Sequence, residues 1–373
     1  MKKVLALSAA ALLMTGVYAA ESNVQVYGVI DAAVTGYKAK GQDAMLEFTS
    51  GFSMGNRIGI RGREDLGNGY SVGFDLEQGF LLDTGAQFNT WSKDGVVQNG
   101  AFNRQSYLDV TGPFGKIAFG RMVSLSGGTG DFNMAKWSPF GIGYGVASFI
   151  GYTFNQSRVN NALAYVSPSF DGFKVQAMYS NGTTTDDEKW SHNDHYYGIG
   201  AMYDKGSLNA ELIFETLDNK SSEALKPAYV ISAGGSYKFS MTKVFFGYQY
   251  GTQDNKRKQH VILLSSATPL VGGTLKFGGK LLLGKLDGKA KKAGMEDKYN
   301  SWNINAAYEY PLSKRTYVYG FAGYADGGKL LSGTASLKAS GLPFRANMVN
   351  AWQLAVGMNH KFYLWNPGSC QAL

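Results

Sequence analysis

The sequence contains few of the residues that stabilise exported proteins covalently or carry out chemistry. Its single cysteine, Cys370, excludes an internal disulfide. There are four histidines and no recognisable Ser/His/Asp arrangement, so a hydrolase has little support. Prolines number only 8, whereas 49 glycines and 14% aromatic residues favour strands and tight turns over helices. We therefore expect no enzyme activity, no cofactor, and stability that comes from backbone pairing and burial.

Long apolar segments are also scarce. One such run, residues 4–14, follows Lys2 and Lys3 and precedes the small-residue site ending at Ala19. This arrangement is typical of a secretory signal peptide, and the run is shorter than the roughly 20 residues of a membrane-spanning helix. The sequence predicts a signal peptide over 1–19 that is cleaved after Ala19. The formal charge of +8 then suggests anionic lipopolysaccharide or anionic solutes as partners rather than nucleic acid.

Apolar and polar side chains alternate with a period of two through much of the remaining chain. In 302–310, Trp302, Ile304 and Tyr308 share one face, while Asn303 and Asn305 share the other. A soluble β-sandwich would also show alternation. However, the runs often reach about 9–11 residues, and aromatic residues gather near their ends, as in membrane-crossing strands. The pattern favours an all-β fold, a transmembrane antiparallel β-barrel.

Short turn signals alternate with longer polar segments. Gly67-Asn68-Gly69 and Asp204-Lys205-Gly206 are short, whereas 81–100, 122–157 and 326–345 are long. Counting the candidate strands gives about 16, which would close a single barrel over 20–362. Closure is required because every backbone polar group must be paired inside a bilayer. A barrel of about 16 strands is too wide for side chains to fill, so we expect a water-filled lumen.

Six motifs occur in order along the chain: residues 24–32, 56–69, 102–121, 158–173, 310–316 and 356–362. Together they resemble the general porins of β-proteobacteria, of the Burkholderia and Neisseria type. The resemblance implies a homotrimer in the cell outer membrane that lets small hydrophilic solutes and ions diffuse passively. It also implies that Phe362 is the terminal aromatic residue read as an assembly signal. Residues 363–373 would then be an atypical C-terminal tail.

The resemblance further implies that the third loop, about 122–157, folds into the lumen as a pore-constricting loop. Alternation independently predicts which cations face this lumen. An Arg facing lipid at mid-depth would cost about 2–4 kcal/mol, and Ile58 and Ile60 need the lipid face. The side chains predicted to point inward on this basis are Arg57, Arg61, Arg63, Arg158, Lys276 and Lys280.

Two further arginines are assigned to the constriction by the resemblance alone. Arg104 shares its face with Leu108, a conflict that a β-bulge would resolve. Arg121 lies where a strand enters the loop, and Asp131 is the only acid of that loop. The predicted constriction therefore comprises Arg57, Arg104, Arg158, Arg121 and Asp131.

A basic constriction predicts a modest anion preference. Inward carboxylates oppose it, since Asp75, Glu77, Glu211 and Glu215 are also predicted to face the lumen. Alternatively, the inward arginines form ion pairs that hold the loop in place, and both interpretations can apply to one residue.

The sequence leaves two alternative functions open. One is a substrate-selective channel with an aromatic binding strip, for which saturable block by a solute would be diagnostic. The other is a surface β-rich adhesin, which would lack conductance steps in a planar bilayer. A metal site at His192-Asn193-Asp194-His195 is less consistent with the pattern than a solvated loop, so no metal is predicted.

Overall fold

Most of the described part of the chain is β-strand. The structure, a computed structural model, describes residues 23–40, 43–88, 92–93, 96–97, 100–148, 158–186, 189–220, 226–288, 298–326 and 350–363. The predicted signal peptide and residues 364–373 lie outside this part. Within it, no helix is long and apolar enough to cross a membrane.

Sixteen antiparallel strands form one sheet in the described residues, the second of them in two segments. They are β1 (Asn23–Ala39), β2a (Met45–Ser50) with β2b (Arg57–Gly67), β3 (Tyr70–Gly79), β4 (Gln105–Gly112), β5 (Gly115–Val123), β6 (Arg158–Val166), β7 (Phe173–Ser180), β8 (Tyr196–Lys205), β9 (Leu208–Leu217), β10 (Ala228–Phe239), β11 (Thr242–Gln253), β12 (Arg257–Leu270), β13 (Gly273–Leu286), β14 (Lys298–Pro311), β15 (Thr316–Asp326) and β16 (Ala351–Tyr363). A small separate hairpin joins Ser92–Lys93 to Val96–Val97.

The sheet closes on itself because β1 pairs with β16. Their register runs from Tyr27 opposite Tyr363 to Ala39 opposite Ala351. On its other side, β1 pairs with β2a and β2b, so these two segments together make one strand position. Each remaining strand pairs with its sequence neighbour. The predicted antiparallel barrel of about 16 strands is confirmed.

Burial alternates along the strands as the sequence predicted. On β14, the side chains of Ser301, Asn303 and Asn305 are buried, whereas Trp302 and Ile304 are 43% and 47% exposed. Polar residues therefore face inward and apolar residues outward, the reverse of a water-soluble protein. Such an inversion is stable only when hydrocarbon surrounds the barrel.

The two ends of the barrel differ in the length of their connections. At one end, tight turns join β2b to β3, β8 to β9, β10 to β11 and β12 to β13. In the first of these turns, Gly67, Asn68 and Gly69 all have positive φ, which glycine and asparagine adopt most readily. The long connections lie at the other end, and one of them, 124–148, turns into the lumen.

The last strand extends one residue beyond the predicted boundary. Phe362 stands opposite Gly28, and a Cβ at Gly28 would lie 2.3 Å from the Phe362 ring. Glycine at this position therefore makes room for the aromatic ring. Tyr363, assigned to the tail by the sequence, is the final residue of β16.

Candidate functional site: a constriction in the lumen

The segment 124–148, here called the constriction loop, follows the inner wall of the barrel. Its first part is attached to β8 and β9. The backbone N–H of Ser126 donates to Glu215 Oε1 at 3.1 Å, and the N–H of Lys136 donates to Glu211 Oε2 at 3.0 Å. Tyr196 Oη accepts from the N–H of Leu125 at 3.0 Å. Buried wall carboxylates thus serve as acceptors for the loop backbone.

The middle of the loop packs against two glycines of the barrel wall. The Trp137 ring lies against Gly234 of β10 and Gly247 of β11. A Cβ at Gly234 would come within 2.4 Å of that ring, so a larger residue would displace the loop. This is a close approach that only glycine permits.

The last part of the loop is held by β13 to β16. Lys280 Nζ donates to Ser148 O at 2.8 Å, Asn303 Nδ2 donates to Val146 O at 2.8 Å, and Gln353 Oε1 accepts from the Val146 N–H at 3.1 Å. These polar contacts join the loop to three strands that are distant in sequence.

Tyr144 adds a further anchor to this part of the loop. Its hydroxyl donates to Glu309, whose carboxylate also pairs with Lys276 at 2.6 Å. Burial, with the Glu309 carboxylate beside it, raises the pKa of the Tyr144 phenol. The hydroxyl therefore remains a neutral donor at physiological pH.

A second inward segment, 51–56, supports the loop, and sequence reasoning missed it. Phe52 stacks on Tyr319 and meets the Tyr144 ring edge-on. Buried Asp31 accepts hydrogen bonds from the Ser53 N–H at 3.0 Å and from Tyr319 Oη at 2.9 Å. In the sequence, only the alternation on β1 that turns Asp31 inward could have indicated this segment. Alternation does not show that Asp31 contacts Ser53 and Tyr319.

Arg57 and Arg104 meet at one carboxylate of the barrel wall, that of Glu77. Arg57 Nε lies 3.1 Å from Glu77 Oε2, and Arg104 Nε lies 2.5 Å from Glu77 Oε1. Arg104 reaches the lumen through a bulge-like irregularity, since its N–H donates to Glu77 O while Gln105 is the register partner of Glu77. Its guanidinium also donates to Thr129 Oγ1 of the constriction loop at 2.8 Å.

The other predicted constriction arginines lie behind this pair. Arg158 is 6% exposed and donates to Thr129 O at 2.9 Å, so it supports the loop. Arg121 sits at a register shift in β5 and donates to Asn103 O at 2.9 Å and to Asn160 Oδ1. Neither lines the cavity described below, whereas Asp131 does.

Of the predicted wall cations, Arg61 is the one among the lining residues of the cavity described below. Its guanidinium donates to Gln25 Oε1 at 2.6 and 2.8 Å and lies 4.9 Å from the centre of the Tyr27 ring. Arg63 is nearer the short turns and pairs with Asp109 at 3.0 Å. Lys276 and Lys280 contact the far end of the loop, as described above.

A cavity of about 340 Å³ is lined both by the loop, at Thr129, Gly130 and Asp131, and by the basic wall. Its charged lining residues are Arg57, Arg61, Arg104, Lys361, Asp75, Glu77 and Asp131. Tyr27 Oη donates to Asp75 at 2.8 Å, and Tyr107 Oη donates to Asp131. Within the described residues, no group of three or more His, Cys, Asp or Glu could hold a metal ion. The cavity therefore presents charged side chains and aqueous space to a passing solute.

Comparison with known proteins agrees with this geometry. The family model for Gram-negative porins matches residues 6–330. The chain belongs to the Gram-negative porin family. This porin is 28% identical to outer membrane porin protein 32 of Delftia acidovorans, over 97% of this chain and 100% of that protein. It is 26% identical to an outer membrane porin of Bordetella pertussis, over 87% and 94%.

Solved structures show the same barrel. An anion-selective porin from Comamonas acidovorans superposes with a TM-score of 0.67 at 25% identity, covering 92% of this chain and 100% of that one. OmpT of Vibrio cholerae, in its trimer form, gives a TM-score of 0.62 at 15% identity, covering 91% and 99%. The predicted family and outer-membrane location are thereby confirmed. The porin is a passive diffusion channel, and its family consists of channels rather than enzymes.

Proposed function

We propose that this porin is a general diffusion channel with a modest anion preference, set by Arg57, Arg61 and Arg104 beside the constriction loop. One observation carries the proposal. The cavity lining contains four cations, including Lys361, against three carboxylates. Glu77 is shared by two arginines, so its charge cannot neutralise both. A net positive constriction favours anions.

Of the four carboxylates that oppose this conclusion in the sequence, Asp75 and Glu77 line the cavity and are among its three acids, whereas the other two contact the loop backbone instead. Glu211 and Glu215 are buried and accept hydrogen bonds from the loop, while Glu309 pairs with Lys276 and Tyr144. Burial behind the loop separates the Glu211 and Glu215 carboxylates from the solute path, and the Glu309 charge is balanced by Lys276. The relative from Comamonas acidovorans is described as anion-selective, which supports the same sign here.

A substrate-binding aromatic strip receives less support. Of the aromatic side chains in the described part of the loop, Phe132, Trp137, Phe140 and Tyr144 are all buried against the wall. They pack rather than line the cavity. The observation favours general diffusion over a solute-specific channel.

The proposed assembly is a homotrimer. Leu46 and Phe48 on β2a are each 77% exposed, far more than most outward side chains. Val34 of β1 is the register partner of Phe48 on β2a and also of Val356 on β16. These three residues therefore form one apolar row across the three strands. This patch is suited to contact with a neighbouring copy, and the related barrel OmpT is known in a trimer form.

Export by the signal peptide over 1–19 stays a prediction, as does contact of the outer wall with lipopolysaccharide. The role of Phe362 in assembly is likewise carried over from the resemblance. Its position in β16 opposite Gly28 is compatible with that role.

The charge proposal is tested by replacing Arg61, whose guanidinium donates to the neutral Gln25 side chain. The reversal potential of wild-type protein in a KCl gradient across a planar bilayer should indicate modest Cl⁻ preference. Arg61→Gln should reduce this preference, because it removes one lining cation. The matched control is Arg315→Gln, in the exposed turn before β15. Cation preference in the wild type, or equal effects of the two variants, would refute the proposal.

A further inference from the structure

Two lysines lie directly opposite each other near one of the short turns. Lys238 of β10 is the register partner of Lys243 of β11, immediately before the last residue pair of that hairpin. Side chains in directly opposed positions have Cβ atoms about 4.5–5.5 Å apart, so both ammonium groups can reach one small ligand. Both lysines are exposed to solvent.

The register places this lysine pair on the inner wall of the barrel. Ser236 and Phe245 are the register partners two residues further into the strands, and both side chains are buried. Side chains separated by two residues share a face of the sheet. The Lys243 ammonium group also lies 5.3 Å from the centre of the Phe245 ring. The pair therefore faces the lumen and not the surrounding lipid.

The lysine pair lies between the constriction loop and the mouth formed by the short turns. Four residues further into the strands, Gly234 and Gly247 are the register partners on which the Trp137 ring packs. Four residues of a strand span about 13 Å. The short turns of such barrels lie on the periplasmic side. A solute that has passed the constriction from outside the cell thus meets the pair in the periplasmic vestibule.

Two other inward lysines near this mouth are paired with carboxylates. Lys116 Nζ lies 3.7 Å from Asp109 Oδ1, and Lys276 Nζ lies 2.6 Å from Glu309 Oε1. In the part of the chain that the structure describes, no carboxylate forms an ion pair with Lys238 or Lys243. Like charges directly opposite one another destabilise a sheet pair, and an anion between them offsets that repulsion.

The chemistry of the pair favours a divalent oxyanion over chloride. A lysine ammonium group binds phosphate as a point charge, and two such groups at this spacing can contact different oxygens of one tetrahedral anion. The attraction of each ammonium group for a divalent anion is about twice that for chloride at the same distance. The inner position of the pair excludes a lipid headgroup as the source of the phosphate.

We propose that Lys238 and Lys243 form a second anion site, in the periplasmic vestibule, that binds small divalent oxyanions such as hydrogenphosphate. The inference deepens the proposed function, because it rests on anion passage through the constriction and names a class of anion that the vestibule retains.

The test measures chloride current through single channels of the full-length porin in about 0.1 M KCl at a pH of about 8, where phosphate is mainly divalent. Inorganic phosphate is added to one side of the bilayer at a time. A bound divalent anion repels chloride, so phosphate should reduce the current. It should act at lower concentration from one side than from the other, because the short-turn mouth gives access to the pair without passage through the constriction.

The variant K238Q/K243Q should need about tenfold more phosphate for the same block and should lose the difference between the two sides. K238R/K243R keeps both charges and should retain the block. The matched control is K314Q/R315Q, which removes two charges from the exposed turn before β15 and should behave as wild type. Unitary conductance in KCl alone verifies that each variant forms a channel.

Three results would overturn the proposal. The first is equal block of wild type and K238Q/K243Q, or block of wild type that does not depend on the side of addition. The second is a loss in K314Q/R315Q as large as in K238Q/K243Q. The third is an equally large loss in K238R/K243R, which would show that the positive charges are not what binds phosphate.

The reversal potential in a KCl gradient without phosphate separates this inference from the proposed function. Retained chloride preference, with equal phosphate block in wild type and K238Q/K243Q, would defeat the vestibule site alone. Cation preference in the wild type, with phosphate block that depends on the two lysines, would defeat the charge selectivity of the constriction alone.

Discussion

Replacing Glu77 by glutamine should increase the anion preference of the channel. Glu77 is buried between Arg57 and Arg104; it forms an ion pair with Arg57 at 3.1 Å and accepts a hydrogen bond from Arg104 Nε at 2.5 Å. Glutamine keeps an acceptor oxygen and nearly the same shape but removes the negative charge. The two guanidinium groups then face the cavity without that carboxylate, so the local potential becomes more positive.

The size of the effect follows from Coulomb's law. For a charge roughly 5 Å from a passing ion, the interaction in water is about 0.8 kcal/mol. At 0.1 M salt, where the Debye length is about 10 Å, screening reduces it to about 0.5 kcal/mol. The charge acts with opposite sign on the anion and the cation, so the permeability of each should change about twofold and their ratio about fivefold. At 1 M salt the Debye length is about 3 Å, so the change should nearly vanish.

The assay is the reversal potential in KCl gradients centred on these two concentrations. Glu64→Gln is the matched control, because Glu64 is exposed near the short turn after β2b. Heat-modifiable gel mobility verifies that each variant forms a barrel. An unchanged or reduced anion preference in Glu77→Gln at 0.1 M would contradict the reasoning, and so would an effect of equal size at 1 M.

Two further predictions concern the loop and the assembly. Tyr144→Phe removes the donor to Glu309, a hydrogen bond to a charged group worth about 1.5–3 kcal/mol, so open-channel current noise should rise. Tyr308→Phe is the control, because the Tyr308 hydroxyl contacts the turn at Leu270, and its current noise should stay at the wild-type level. Equal noise in the two variants would show that the Tyr144–Glu309 hydrogen bond does not anchor the loop. Phe48→Ala should lower the temperature at which trimers dissociate on a semi-native gel. Phe246→Ala, on the outward face of β11, is the control and should leave that temperature unchanged. Equal shifts in the two variants would contradict the proposed interface.

The barrel could be predicted from the sequence because each strand separates two solvents. A side chain such as Trp302 must meet hydrocarbon, and its neighbour Asn303 must meet water, so a period of two is present in the residues themselves. The same rule placed Arg57 and Arg61 inside, since Ile58 and Ile60 require the opposite face. These inferences need only local sequence.

The loop contacts could not be predicted in this way. The Glu309–Tyr144 contact joins residues 165 apart, and strand register does not determine the path of an irregular loop. Arg104 reverses its expected face through the irregularity before β4, where Phe102 has a positive φ that no glycine signals. The break between β2a and β2b, which sends Phe52 into the lumen, likewise depends on tertiary contacts.

This difference explains why the net charge that a passing solute meets at the constriction does not follow from counting the inward charged residues in the sequence. Alternation predicts the same inward orientation for Glu77, Glu211, Glu215 and Glu309. In the structure, Glu77 lies beside the cavity and pairs with two arginines, whereas the other three hold the loop against the wall. The loop anchors thus remove acidic charge from the solute path while they stabilise the loop. The same contacts withdraw Lys276 and Lys280 from that path. Selectivity is therefore expected to depend more strongly on Arg61 than on either lysine, although all three were equivalent by alternation.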